Sequence, residues 1–341
     1  MKVGAILCIV DGMTDEGFEY DCCPNLAEMK ARSAYGLIQT TPHGFSPESY
    51  PCIATVLGIP CDKIPRHARG YLEALGLRIR TRQDDLILRG SWVELDSCDR
   101  IVAITGAPHD VHVPEGVEYY EIGTYKSLIV LKGRAGLVDS VTTCPPHENM
   151  GRNIEEMFPL GCDELAELVI QNRRGKDALV LWGQSVFSVL PRFKGRAALV
   201  GAASIVKGMA EAMSMDVYDR QDFTGDTDTS LDGKVDLAMK IAHEYDLVVL
   251  HVNGADEAAH RKDVREKRRF LKRMDSEVVF PLMTSSHMVM VCSDHGTSPS
   301  TGEHIGTPQP FVISRNSRLK GDLGEVCGTR PIEFLLEGQA R

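Results

Sequence analysis

The sequence predicts an α/β protein in which helices cover both faces of a mostly parallel sheet, with a small α+β insert. Three observations lead there. Apolar runs of strand length, Val3 to Val10, Leu247 to Val252 and Met288 to Cys292, each stop abruptly at turn residues. Such continuous runs suit strands buried on both faces. Around them, helical patterns alternate with strands, the mark of a parallel sheet covered by helices. Between about Leu75 and Pro145 the texture changes to short alternating runs separated by turns, which reads as an antiparallel unit.

Taken in order, Pro24 to Ser33 reads as a short amphipathic helix, and Tyr35 to Thr40 as a strand. Pro42 to Pro51, rich in Gly, Pro and Ser, is a loop. A helix follows over Cys52 to Leu57 and ends at Gly58 and Pro60. Within the insert the strand candidates are Asp85 to Arg89, Ser91 to Leu95, Glu118 to Ile122 and Ser127 to Lys132. The alternation of helix and strand then returns with Cys162 to Asn172, Ala178 to Trp182, Ala198 to Gly201, Ile205 to Met213 and Lys234 to Tyr245. The expected organisation is a discontinuous core, residues 1–75 and 150–341, interrupted by an insert over 76–149.

Composition narrows the functional classes. The chain has 341 residues, 43% of them hydrophobic, enough for a sizeable core, and a net charge of -10 that disfavours nucleic acid as a partner. The basic run from Arg261 to Arg273 reads as the solvated face of a helix. Ten cysteines form no CxxC pair, and Cys8 and Cys292 sit inside apolar strands, so a reduced, cytoplasmic protein is expected. The opening MKVGAILCIVDG does not read as a signal peptide, because its apolar run meets an acid and no small-residue cleavage site follows. No apolar stretch has the length of a membrane span. Nothing in the sequence fixes an oligomeric state.

The chemistry gathers at strand ends. Asp11 follows the first apolar run, Asp294-His295 the last, and Asp256-x-x-x-His260 the run that ends at Val252; His304 lies in a loop nine residues beyond His295. In open α/β sheets ligands bind at the carboxyl ends of the strands. Asp256 and His260, four apart, share a helix face. An acid at the end of a wholly apolar strand is costly unless hydrogen-bonded or metal-bound. Oxygen and nitrogen donors converging in this way suit zinc or manganese, and their number suits two ions. Paired metals commonly clamp a displacement at phosphorus, which calls for an oxygen nucleophile. Ser49, just before the Cys52 helix, reads equally as that nucleophile or as an N-cap.

These blocks together resemble the archaeal type of cofactor-independent phosphoglycerate mutases, members of the alkaline phosphatase superfamily. The matching text is IVDGM at 9–13, ESYPCIATVLG at 48–58, ARGYLEALG at 68–76, HVNGADEAAHRKD at 251–263, KRMD at 272–275 and SDHGTSPSTGEHIGTPQPFVI at 293–313. The resemblance runs along the whole chain and implies an alkaline-phosphatase-like core. It implies that Asp11, Ser49, Asp294 and His295 hold one divalent metal, and Asp256, His260 and His304 the other. Manganese or zinc would serve, with magnesium and cobalt as further candidates. It further implies that Ser49 is transiently phosphorylated and that the insert closes over a small phosphorylated substrate. The reaction implied is the interconversion of 2- and 3-phosphoglycerate, an isomerisation in glycolysis and gluconeogenesis.

Looser matches extend the candidate site. Arg69 stands in the family's Gly-Arg-Gly block, Tyr125-Lys126 where the family has Tyr-Arg, and His147 after Pro145-Pro146 where it has Asp-Pro-His. Thr224 to Thr229 resembles its acidic Gly-rich loop, and Lys267 matches a family lysine. Arg69, Lys126, His147, Asp263 and Lys267 are therefore the expected substrate-binding residues. Three departures bear on the substrate. Ser49-Tyr50-Pro51 replaces Ser-Asp-Thr, Ala68 replaces the first Gly of Gly-Arg-Gly, and the insert is short. The alternatives are a metal-dependent phosphatase or phosphonate-processing hydrolase on the same core, and a catalytically silent metal-binding protein.

Overall fold

The computed structural model describes residues 4–106, 111–123, 126–316 and 318–337. Val3 and Tyr125, both named above, lie outside the described residues. The chain divides into two compact units, Met1–Ile64 with Leu190–Arg341, and Pro65–Val189.

The chain opens with β1 (Ala5–Val10), α1 (Pro24–Ala31), β2 (Ala34–Ile38) and α2 (Ser49–Val56). It then builds the second unit from α3 (Arg69–Gly76), β3 (Leu86–Leu95), β4 (Ile101–Thr105), β5 (Val117–Glu121), β6 (Lys126–Leu131), α4 (Asp163–Gln171) and β7 (Asp177–Ser185). Back in the first unit come β8 (Ala197–Val200), α5 (Ser204–Ala212), β9 (Asp216–Tyr218), α6 (Leu231–Ile241) and β10 (Leu247–Val252). Next are α7 (Gly254–His260), α8 (Val264–Met274), a π-helical turn Asp275–Val279, and α9 (Phe280–Thr284). The chain closes with β11 (Met288–Cys292), β12 (Gly296–Thr297), β13 (His304–Ile305), β14 (Gln309–Ser314), β15 (Gly321–Val326) and α10 (Arg330–Glu337).

The first unit is the expected α/β layer. Its eight strands lie in the order β15-β2-β14-β11-β1-β10-β8-β9. All pairings are parallel except those of β14 with β11 and with β2. The three apolar runs are the central strands, buried at every position. One face of β1, β10 and β11, carrying Ile6, Cys8, Val10, Val248, Leu250, Val252, Val289 and Val291, packs on α1, α6, α8 and α9 in one continuous core. On the other side, α5 packs on β8, α10 on β11, and α2 against α5. Asp275 locks two helical segments together: its carboxylate, 2% exposed, accepts from the backbone N–H groups of Asn25 and Leu26 at 2.9 Å each. It thereby satisfies the open N-terminus of α1, where Pro24 has no N–H to offer.

The second unit is an antiparallel sheet. β3 is one ten-residue strand rather than two short ones, because β7 runs along one edge while β6 and then β4 fill the other. β5 completes the sheet beside β6. This unit is wider on both sides than the 76–149 segment read from texture. Ala178 to Trp182, expected in the parallel core, is part of β7 and pairs antiparallel with β3. The run ALVLW is apolar throughout, and a strand buried on both faces carries no sequence mark of the sheet that receives it. Helix α4, expected in the core, packs on β7.

Candidate metal centre

The strand order β11-β1-β10 puts three carboxyl ends side by side, and the residues read from sequence meet there. Ile9 pairs with His251 on one side and Cys292 on the other. Side chains paired across parallel strands share a face, and alternation returns to that face two residues later, at Asp11 and Asp294. The chain then turns at Gly12, whose φ of +63° favours glycine. A Cβ there would lie 2.7 Å from the Asp256 Cα and 2.7 Å from the Thr297 Oγ1, so a larger residue would push the two halves of the site apart. The Ser293 hydroxyl ties the neighbouring turns together, accepting from the Met13 N–H at 3.2 Å and donating to the His295 carbonyl at 2.6 Å.

Two groups of donors result. In the first, Asp11, Asp294 and His295 are almost wholly buried. The Nε2 of His295 is 3.5 Å from Asp11 Oδ1, 3.4 Å from Asp294 Oδ2 and 3.2 Å from the hydroxyl of Ser49. In the second, Asp256 faces His260 Nε2 at 3.2 Å and His304 Nε2 at 3.5 Å, and the two Nε2 atoms are 3.1 Å apart. His295 and His304 bridge the groups, with ring centroids 4.0 Å apart. All seven residues expected to hold metal thus converge. Ser49 is the first residue of α2, and its hydroxyl is engaged with His295.

The electrostatics are those of a site crowded with acids. Burial, reinforced by Asp294 and Asp256, pushes the Asp11 carboxyl well above the usual carboxylate range. Burial, with Asp256 nearby, pushes Asp294 up to about 7. Burial would also raise Asp256, but the charge and hydrogen bond of His260, with help from His304, hold it well below the usual range. Burial and the neighbouring His295 lower His304.

The donor set fits a divalent cation. Asp11 Oδ1 and Asp294 Oδ2 are buried with no hydrogen-bond partner. The Nδ1 of His260 lies 2.8 Å from the Gly302 carbonyl and that of His295 3.2 Å from the Gly296 carbonyl. Each Nδ1–H can stay with its carbonyl while Nε2, once deprotonated, turns a lone pair inward toward a cation, the usual device of metal-binding histidines. The Thr297 hydroxyl fixes the Asp256 carboxylate from behind, donating to Oδ1 at 2.6 Å.

The sequence reading missed Thr297 and His251. His251 is fully buried near the end of β10, with Nε2 3.3 Å from Asp11 Oδ2, and burial, then Lys234, lower it to about 3. The available signal was an imidazole inside the otherwise apolar LVVLHV.

The expected substrate-binding residues are more scattered. Lys267 is 1% exposed, and its ammonium donates to the carbonyls of Thr14 and Thr297 at 2.9 and 2.6 Å. Substrate contact is therefore corrected to a structural role beneath the metal loop. Asp263 is exposed, and its carboxylate caps α8 by accepting from the Glu266 N–H at 2.9 Å. In the second unit, Arg69 and His147 both approach the Trp182 indole. The guanidinium lies 5.6 Å from its centroid, and the imidazole meets it edge-on at 5.2 Å. Arg89, which the sequence reading did not single out, lies closer over the same ring at 4.5 Å and pairs with Glu73 at 3.1 Å. Lys126 is half-buried at the start of β6.

A parallel sheet edge that collects three buried carboxylates and three histidines defines a metal-dependent α/β enzyme core. The sequence pattern of the metalloenzyme superfamily matches residues 5–337, and the chain belongs to that superfamily. Among curated relatives, the 2,3-bisphosphoglycerate-independent phosphoglycerate mutase of Methanothrix thermoacetophila is 29% identical, covering 92% of this chain and 92% of its own. That of Methanopyrus kandleri is 28% identical over 85% of this chain and 80% of its own. The solved PH0037 protein of Pyrococcus horikoshii shares the fold, with a TM-score of 0.75 at 19% identity over 99% of this chain and 98% of its own. No helix among the described residues is long and apolar enough to cross a membrane.

Proposed function

We propose that the protein is an isomerase of the phosphoglycerate mutase kind, moving a phosphoryl group between the 2- and 3-hydroxyls of glycerate through Ser49. The observation that carries this reading is the Ser49 hydroxyl, 3.2 Å from the Nε2 of His295 at the head of α2 and beside the buried carboxylates. Its supports are the similarity to curated mutases along most of the chain and the donor set just described.

Asp11, Asp294, His295 and Ser49 would hold one cation, and Asp256, His260 and His304 a second. When bound, such cations activate the serine hydroxyl and neutralise phosphoryl oxygens. Ser49 Oγ forms a bond to phosphorus as the glycerate oxygen–phosphorus bond breaks. The serine proton goes to the departing glycerate oxygen. In the second half the other glycerate hydroxyl bonds to phosphorus as the Ser49 Oγ–phosphorus bond breaks, and that hydroxyl's proton passes to Ser49 Oγ. The N–H groups at the head of α2 favour the anion carried by phosphoserine. Arg69 is suited to a substrate carboxylate or phosphate.

The test is incubation of manganese- or zinc-loaded protein with 3-phosphoglycerate, following 2-phosphoglycerate and free phosphate together. Isomer without free phosphate is expected. Free phosphate as the main product would replace the mutase reading with that of a phosphatase.

A further inference from the structure

We infer that His251 is a positioning residue for the metal centre: its Nε2–H holds Oδ2 of Asp11 and so leaves Oδ1 as the oxygen turned toward a cation. The inference rests on the metal-dependent reading proposed above and assigns a residue outside the two donor groups.

The backbone sets up the contact. His251 stands in register with Ile9, so its ring projects on the same face as Asp11, two residues further along β1. Nε2 lies 3.3 Å from Asp11 Oδ2, an acceptor within ion-pair range, and neither ring nitrogen makes a well-formed hydrogen bond among the described residues. A wholly buried imidazole is neutral and carries a single N–H. On Nε2 that proton sits on a nitrogen 3.3 Å from an Asp11 oxygen, which it can hold once a cation ionises Asp11; on Nδ1 it would have no acceptor in reach among the described residues, at the cost of an unsatisfied buried donor. The proton therefore belongs on Nε2, which makes His251 a donor to Asp11 rather than a ligand. The sheet also makes room for the ring. Gly201 follows the last residue of the adjoining β8, and a Cβ there would lie 3.1 Å from the His251 Cβ.

The other oxygen shows what this arrangement achieves. Asp11 Oδ1 is buried without a hydrogen-bond partner and faces His295 Nε2 at 3.5 Å. His295 commits its Nδ1 to the Gly296 carbonyl, so its Nε2 also brings a lone pair. Two acceptors thus point at each other across a gap that a cation would close. His251 keeps Asp11 from turning Oδ1 away.

The experiment is titration of metal-free protein with Mn2+ and with Zn2+ against a competing chromophoric chelator, for wild type, His251→Phe and His251→Gln. Circular dichroism checks the fold of each. Wild type is expected to fill two sites. His251→Phe, which keeps a ring and removes the donor, is expected to weaken one of them by about 10–100-fold, the usual cost of removing an outer partner of a ligand, while the other holds. His251→Gln, which can offer an N–H at similar reach, is expected to recover most of that loss. Equal affinities in wild type and His251→Phe would overturn the role of His251 while leaving the metal reading standing. Equal weakening of both sites would overturn it too, since that is the mark of general disruption. Absence of binding in wild type would overturn the metal reading and this inference together. If the Phe variant does not fold, His251→Met is measured in its place under the same criteria.

Discussion

The hydroxyl of Ser49 and the Nε2 of His295 are 3.2 Å apart, although 246 positions separate them in the chain. The contact joins the head of α2 to the loop after β11, and so joins the candidate nucleophile to the candidate metal ligands. Ser49→Ala is expected to abolish phosphoryl transfer while leaving stability within about 1 kcal/mol, since the residue is half-buried and contributes little packing. An ordinary N-cap would show the reverse, a stability loss of about 0.5–2 kcal/mol with turnover retained. Melting temperature and turnover measured on the same sample separate the two.

Thr297 holds Asp256 through a 2.6 Å hydrogen bond, with no exposure to solvent. Thr297→Val keeps the shape and deletes the donor. Metal affinity at the Asp256 site is expected to fall about 10–100-fold. Calorimetric titration checks this, and an unchanged affinity would show that Asp256 needs no fixing from behind.

Asp294, raised to about 7 from 3.8 chiefly by burial, gives the metal-free protein a definite pH dependence. The folded state holds this proton more tightly than the unfolded chain, so stability falls as pH rises from about 4 to about 7. Cation binding requires the ionised carboxylate and should remove that slope. Thermal melts across this window, with and without Mn2+, are expected to diverge as pH rises. In the metal-free state, Asp294→Asn should reduce the slope, leaving the part that the raised Asp11 carboxyl contributes; a slope equal to that of wild type would place its origin elsewhere.

Asp275 offers a contrasting prediction, because it serves only the scaffold. Asp275→Ala leaves two N–H groups of α1 and the Asn25 side-chain amide without their carboxylate acceptor, and is expected to cost about 3–6 kcal/mol for the two backbone bonds alone. Metal affinity per folded molecule should not change. Urea denaturation and metal titration together test it.

The legible part of the sequence was whatever one strand or one turn could carry. Asp11, Asp256 and Asp294 stood out because each interrupts or closely follows an apolar run, and the spacing of Asp256 and His260 gives them one helix face. His251 and Thr297 did not stand out. Each acts through a partner on another strand or helix, and strand register is not written in either segment alone. Lys267 was legible as important but not in its role, because a lysine bonded to two buried carbonyls looks in sequence like any helix lysine. The domain edge failed for a related reason: an apolar strand does not announce whether its neighbours run parallel to it.

The membership of β7 in the second unit has a consequence for folding autonomy. Residues 65–189 form one uninterrupted stretch of chain, and its two ends are laced together: the Val186 N–H donates to the His67 carbonyl at 2.9 Å, and the Gly70 N–H to the Ser185 hydroxyl at 2.8 Å. A gene fragment encoding that stretch would therefore close its own sheet without borrowing a strand. A fragment stopping at 149 would leave β3 with one edge bare along most of its length, an open template for self-association.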